Sequence, residues 1–495
     1  MRNSKIRAAV SAALALAGLA AGSVVHAAAP TLASCQAAEA TANKLFVAGS
    51  SAAQSGFSIA IGVNLFGGLA NELLFNGTNS SANSVTNFQA YCGVAASGNA
   101  LGITAGNNVI VYYRAEGGSV SGALPVAAGS NPPLNTTSTG VAKTLQFLSV
   151  NSAVSNSLCT AVTAATSTAP NATTCNIAGT SSANGPTDSF GPTGLQSAFV
   201  DIGVTDVEPG ILGTVNYPTA YSTSVYGSVT AAQLASLTTV PAFSQAFGFF
   251  INNSTFTGGA TLDFSAATYQ GIFDGTYSNW QDVPTTSGAP ASTTSVPIKI
   301  VNREVGSGTR SSTNIFLFNY ACGAKTGTNA TAAGLTDGWA TKEVLTTVGA
   351  NPGAITYASI DNAGKVTNAN IANLNGLNPT GTPAGNLLAS SGSWPFWFEA
   401  TYVENTAAAN LNGGTGQDRL GTAAAVQNAI FNNNVLVDVA TAPHSKQVGI
   451  IPGSGDNLSA NGNVTGTAST GANGVTIYTN AFTRGGNSCA APSPL

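Results

Sequence analysis

Charge is scarce in this 495-residue chain: Asp, Glu, Lys and Arg make up 7% of it, against roughly 25% in ordinary globular proteins. The chain carries 15 Lys and Arg against 19 Asp and Glu. Three of those bases, Arg2, Lys5 and Arg7, sit in an N-terminal leader; without them 12 bases face 19 acids, a net charge near −7. Nucleic acid and anionic membrane surfaces both require clustered basic side chains, so neither is expected as a partner. Histidine is nearly absent too. His26 falls in the leader, which leaves His444, flanked by Thr441-Ala442-Pro443 and Ser445-Lys446 in what reads as an exposed turn. A Ser-His-Asp or Cys-His apparatus would have to be built on that one imidazole. Imidazole-rich zinc sites are out of reach, no C-x-x-C pair occurs, and there is no P-loop lysine motif. No catalytic residue, metal ligand or cofactor is therefore assigned. Past the leader, no apolar run is long enough to span a membrane.

What is present begins with that leader. Residues 1–28 read as a secretory signal, with a basic start, an apolar stretch from Ala8 to Ala21 and a small-residue cleavage site near Ala27. The mature chain is expected to be periplasmic or secreted. Its remaining length, roughly 465 residues, suits two or more compact lobes around a large core. Cys35, Cys92, Cys159, Cys175, Cys322 and Cys489 form an even set, and in an oxidising compartment they are expected to be disulfides. Cys159 and Cys175 flank a Thr/Ala-rich segment and should close a local loop; the other pairings stay open.

Short apolar runs alternate with helical patterns, which predicts an α/β architecture. Strands are expected at Leu45–Ala48, Val109–Tyr113, Ala198–Val204, Ala246–Ile251, Ile298–Val301 and Ala354–Tyr357. Gly/Ser/Thr/Asn-rich segments at 127–140, 160–187 and 453–475 read as long loops or edge hairpins.

One stretch is chemically distinctive: Arg303-Glu304-Val305-Gly306-Ser307-Gly308-Thr309. It follows a β-branched run and precedes an apolar-periodic segment, Ser311 to Tyr320. The order strand, glycine turn, helix places unpaired backbone N–H groups at a helix start, where the macrodipole favours negative charge. Ser307 and Thr309 add hydroxyl donors, and Arg303 adds a planar cationic fork. In α/β sheets ligands bind at the carboxyl ends of strands. Three more loops match that placement: Gly49-Ser50-Ser51-Ala52, Glu116-Gly117-Gly118-Ser119 and Thr205-Asp206.

In that order these motifs resemble the phosphate-binding proteins of bacterial ABC importers, within the type 2 periplasmic binding protein fold. The matching pieces are Val47-Ala48-Gly49-Ser50-Ser51-Ala52, a Gly/Ser turn at Ser119 with Ser121 as the alternative, Gly203-Val204-Thr205-Asp206, and the Arg303–Thr309 turn. Tyr269–Gly275, Asn279-Trp280-Gln281-Asp282, Asn351–Tyr357 and Ser393-Trp394-Pro395 resemble further landmarks of that family. Two departures stand out. Val305 occupies the place of the family's aspartate, with Glu304 beside it, and the aromatic common in the first turn is absent.

The resemblance implies a two-lobed fold with discontinuous lobes, mixed sheets and a hinge near Phe247-Gly248-Phe249 and Ser393-Trp394-Pro395. Lobe 1 would comprise 29–246 and the return segment 395–495, and lobe 2 would comprise 247–394. It implies inorganic phosphate, or a similar tetrahedral oxyanion, as ligand, an ABC permease as partner, a monomer, and no reaction. The implied ligand contacts are Ser50, Ser51, Ala52, Ser119, Asp206, Arg303, Ser307, Gly308 and Thr309. Two other readings stay open here: an extracellular structural or surface-attachment protein reusing the fold, and a secreted phosphohydrolase.

Overall fold

The computed structural model describes most of residues 29–404 and parts of 450–494. Left out are 1–28, 80–87, 129–143, 178–193, 213–236, 380–392 and most of 405–481, with short gaps elsewhere, among them 116 and 339. The expected secretory signal and His444 lie outside the described residues.

The strands are β1 (Asn43–Gly49), β2 (Glu72–Asn79), β3 (Phe88–Val94), β4 (Asn108–Arg114), β5 (Thr144–Leu148), β6 (Asn171–Ile177), β7 (Leu195–Phe199), β8 (Ile202–Thr205), β9 (Thr238–Ile251) and β10 (Asp263–Phe264). They continue with β11 (Lys299–Ile300), β12 (Ala354–Ser359), β13 (Asn370–Ile371), β14 (Asn373–Leu374), β15 (Trp397–Glu404) and β16 (Ile450–Ile451). Short pairs follow: β17 (Ser469–Thr470) with β18 (Thr476–Ile477), and β19 (Phe482–Thr483) with β20 (Ser493–Pro494). The helices used below are α1 (Leu32–Ala38), α2 (Gly118–Ala128), α3 (Val150–Ser155), α4 (Ala266–Phe273), α5 (Gly308–Phe318) and α6 (Thr341–Ala350).

A twelve-stranded mixed sheet organises the molecule, in the order β11-β12-β9-β15-β8-β1-β4-β3-β2-β6, with β13 and β16 also on β9. The expected α/β class is what the chain adopts. The middle of the sheet is parallel where it matters for function: β1 runs parallel to both β4 and β8. Their carboxyl ends therefore open on one edge. β1 and β4 read as apolar runs because both faces are covered, and residues 45–49 and 109–114 are all buried.

The long strand β9 joins the two ends of the sheet. Thr238–Ala246 pairs antiparallel with β15, and Phe247–Ile251 pairs with β12. Where one partner gives way to the other, Trp394 Nε1 donates to the Phe247 carbonyl at 2.9 Å and Phe247 N donates to the Phe396 carbonyl at 2.9 Å. The two segments expected to form a hinge are thus directly joined. Stacked aromatic pairs fill the core beneath them, Phe249 on Tyr269 at 3.8 Å and Phe316 on Phe396 at 4.6 Å.

One expectation needs revision, and one is resolved to one of its two alternatives. The run 198–204 is two strands, not one. Asp201 breaks it by bonding β1 twice: its N–H donates to the Phe46 carbonyl and its Oδ2 accepts the Phe46 N–H, both at 2.8 Å. β7 consequently leaves for a separate pairing with β5. The loop-or-hairpin segment 160–187 contains β6, which closes the edge of the large sheet beside β2. Its residues alternate inward and outward, Cys175 points in, and the Cys159–Cys175 disulfide closes the hairpin as expected.

Two further disulfides join distant parts, Cys35–Cys92 and Cys322–Cys489. The second anchors a clip made of β19, β20 and the described residues between them. The Arg484 guanidinium lies over the rings of Trp397 and Phe398 at 5.2 and 4.5 Å, and the Arg484 backbone N–H donates to Glu399 Oε2 at 3.0 Å. Ser488 N donates to Glu208 Oε2 at 2.9 Å. Cys322 lies just beyond α5 and Glu208 two residues past Asp206, so the clip ties the far end of α5 to the strand ends. Among the described residues, no helix is long and apolar enough to cross a membrane.

Candidate functional site

Four loops meet at the open edge of the parallel strands: the turn after β1, the start of α2 after β4, the end of β8, and the turn after β11 that enters α5. At their meeting point stands Asp206, 2% exposed. Ser50 Oγ donates to its Oδ1, and Thr309 Oγ1 donates to its Oδ2 at 2.8 Å. Its own N–H donates to Ser119 Oγ at 3.0 Å. Of the two serines considered for the second turn, Ser119 is the one that reaches Asp206. Burial raises the Asp206 pKa above the usual carboxylate value; the hydrogen bonds from Ser50 and Thr309 and the charge of Arg303 oppose that rise.

Glycine is required for this approach. A Cβ on Gly308 would stand 2.2 Å from Ser119 Oγ and 2.8 Å from Asp206 Cβ, so any side chain there would push α5 away from the other loops. Helix α5 starts three residues earlier than the apolar pattern suggested because Ser307 caps it, its side chain accepting the Arg310 N–H. The first turn of α5, polar and buried, is thereby brought against Asp206.

Arg303, 1% exposed, comes from the same turn. Its Nε donates to the Gly338 carbonyl at 3.2 Å and its NH1 to Thr341 Oγ1 at 3.1 Å. Thr341 opens α6, and its Oγ1 lies 3.1 Å from Ser51 Oγ. The guanidinium thus links the turn after β11 to α6, and through Thr341 to the turn after β1. Burial lowers its pKa, against the attraction of Glu304 and then Asp206.

The structure therefore gathers the sequence-derived residues into two touching groups. Ser50, Ser119, Asp206, Gly308 and Thr309 form one; Arg303, Ser51 and Thr341 form the other, coupled to the first by charge between Arg303 and Asp206. Ala52 and Ser307 are at the site but already employed: the Ala52 N–H donates to Ser50 Oγ at 3.1 Å, and Ser307 caps α5. Sequence reasoning passed over Thr341, whose only signal was its place before the apolar-periodic Lys342–Val348 segment. It also passed over two tyrosine hydroxyls that fix the frame: Tyr113 OH donates to the Ser50 carbonyl at 2.6 Å, and Tyr357 OH accepts the Arg303 N–H at 3.4 Å. Among the described residues, no group of three or more His, Cys, Asp or Glu side chains is placed to hold a metal ion.

What results is a buried cation, a buried carboxylate, several hydroxyls, and the starts of α2, α5 and α6, in a setting of low effective dielectric where each interacts strongly. A family model described as a PBP superfamily domain matches residues 219–408. That segment contains the Arg303–Thr309 turn and the Asn351–Tyr357 and Ser393–Pro395 landmarks. No curated protein matches the sequence. Among solved structures the chain is similar to a putative phosphate ABC transporter substrate-binding protein from Clostridium perfringens, with 16% identity, 48% of this chain and 76% of that one covered, and a TM-score of 0.30. It is also similar to an ABC-type phosphate transport receptor from Vibrio cholerae (15% identity, 46% and 76% covered, TM-score 0.28). A phosphate-binding protein from Stenotrophomonas maltophilia gives 16% identity, 52% and 77% coverage, and a TM-score of 0.29.

Proposed function

We propose that the chain is an exported solute-binding protein that takes up inorganic phosphate, or a similar tetrahedral oxyanion, where these loops meet, for delivery to an ABC permease. The observation that carries this reading is the meeting of Ser50, Ser119 and Thr309 on one buried carboxylate, with a buried guanidinium held nearby.

Serine and threonine hydroxyls rotate freely and both donate and accept. On binding, Ser50 and Thr309 would turn their O–H groups from Asp206 to the anion. The start of α5 at Gly308 would add backbone N–H donors, and Arg303 would supply charge-assisted bonds. Asp206, released from its two donors, would accept a hydrogen bond from the proton that phosphate carries at neutral pH. Sulfate has no such proton and would leave Asp206 unpaired and repelling it, so the same carboxylate admits one anion and rejects the other. Arsenate should pass. Residues 29–246 with 395–495 would form one lobe and 247–394 the other, closing about the Phe247–Trp394 junction. Binding and release involve no covalent step.

Calorimetry tests this. Phosphate should bind, and an excess of sulfate should not displace it. Arg303→Ala should weaken binding by about 2–5 kcal/mol, the usual result of removing one partner from a buried charged contact. Absence of phosphate binding to the folded protein would remove the ligand assignment.

A further inference from the structure

The turn that supplies Arg303 and Thr309 also carries an acid for which the anion site has no evident use. Glu304 is 3% exposed. Its Oε2 accepts the Gly306 N–H at 2.6 Å, while Oε1 is buried without a hydrogen-bond partner among the described residues. That unpaired oxygen faces the start of α2. A Cβ on Gly118, where φ is +62°, would stand 3.1 Å from Glu304 Oε1 and 3.1 Å from Ser307 Cα. Beside it the Gly306 carbonyl accepts the Val120 N–H at 3.0 Å. The Glu304 carboxyl is therefore wedged between the anion turn and the helix whose next residue, Ser119, holds Asp206.

A buried carboxyl group with one oxygen unpaired is far more costly as an anion than as an acid. Burial pushes the Glu304 pKa up to about 8, against the pull of Arg303. The other charged groups acting on it are Arg310 and Asp337. These two are largely spent on each other, in an ion pair of 2.9 Å. Residues 118–128 of α2 contribute no titratable group. On the far side of Arg303, Asp206 and Glu343 also act on the guanidinium.

We propose that Glu304 is a positioning residue that keeps its proton while the oxyanion is bound, and that loss of this proton switches the site off. The proposal rests on reading these loops as an anion site. As a neutral acid, Glu304 holds Gly306 in place and leaves the charge of Arg303 to the ligand. As a carboxylate it competes for Arg303 and adds a second negative charge beside that of Asp206. The sign follows directly. Glu304 is neutral below about 8, so affinity is full there and falls as pH rises through that value.

The test is calorimetric titration of the full chain with inorganic phosphate on both sides of pH 8, for the wild type and for Glu304→Gln. Ionisation of phosphate itself affects both proteins alike, so the ratio of their affinities isolates Glu304. That ratio should be constant at acid and neutral pH and fall by about tenfold per pH unit on the alkaline side. Parallel profiles would overturn the inference while leaving the anion site standing; absence of phosphate binding at every pH would remove both. Should Glu304→Gln fail to fold, Glu304→Asp serves as the comparison. It keeps a titratable acid on a shorter arm, and its alkaline fall should be displaced from that of the wild type; an unmoved fall would overturn the inference.

Discussion

At the scale of single residues, Asp206 is the group to which we assign the choice of anion. It is a buried acid whose two oxygens are already served by hydroxyls, and its pKa is raised by desolvation. Asp206→Asn keeps the shape and removes the repulsion. Sulfate, which the wild type should exclude on this proposal, should then compete with phosphate within about tenfold, since a single unmade or repelled buried contact is worth about 1–3 kcal/mol. Competition titration reads this directly, and continued exclusion of sulfate by the variant would show that selectivity lies elsewhere. Asp206 was legible in the sequence because Thr-Asp ends a β-branched run, and Arg303 because arginine is scarce in this chain and this one precedes a glycine turn. Thr341 was not. Its role depends on α6 being folded back onto the turn after β1, a contact separated by 290 residues between Ser51 and Thr341, which no local pattern encodes.

At the scale of elements, the strands around the site were legible as apolar runs because they are covered on both faces. The boundary within 198–204 was not, because Asp201 ends a strand by bonding to β1 and not by any turn chemistry of its own. For β6 the Thr and Asn content left loop and edge hairpin both open, since it suits a half-exposed edge as well as a loop. The C-terminal clip was invisible for another reason: pairing among six cysteines is a long-range property. Cys322–Cys489 spans 167 residues, and a loop of that size restricts the unfolded chain strongly. Replacing both cysteines with serine should cost about 2–5 kcal/mol of stability. The thermal midpoint should fall while the folded protein still binds phosphate, because the clip bonds Glu208 and the far end of α5 but none of the proposed ligand contacts. An unchanged midpoint would show that Arg484 on Trp397 and Phe398, with the Glu208 and Glu399 contacts, holds the clip unaided.

At the scale of the whole molecule, the low charge content and the site belong to one account. With 7% of residues charged, most of the fold is held by apolar packing and backbone pairing in the twelve-stranded sheet. Three buried ionisable groups lie where the loops meet: Asp206, Arg303 and Glu304 are all within 3% exposure. Such groups are expensive to bury, and each here is offset by a partner, by a held proton, or by the ligand we assign. The strand order brings together loops from residues 50, 119, 206 and 303–309, and that convergence is the central claim. A crystal structure of the protein grown with phosphate tests it most directly. The account predicts one tetrahedral anion bonded to Arg303, to the hydroxyls of Ser50 and Thr309 and to the start of α5, with Asp206 against one of its oxygens. Phosphate bound at another surface, with Ser50 and Thr309 still donating to Asp206, would contradict it.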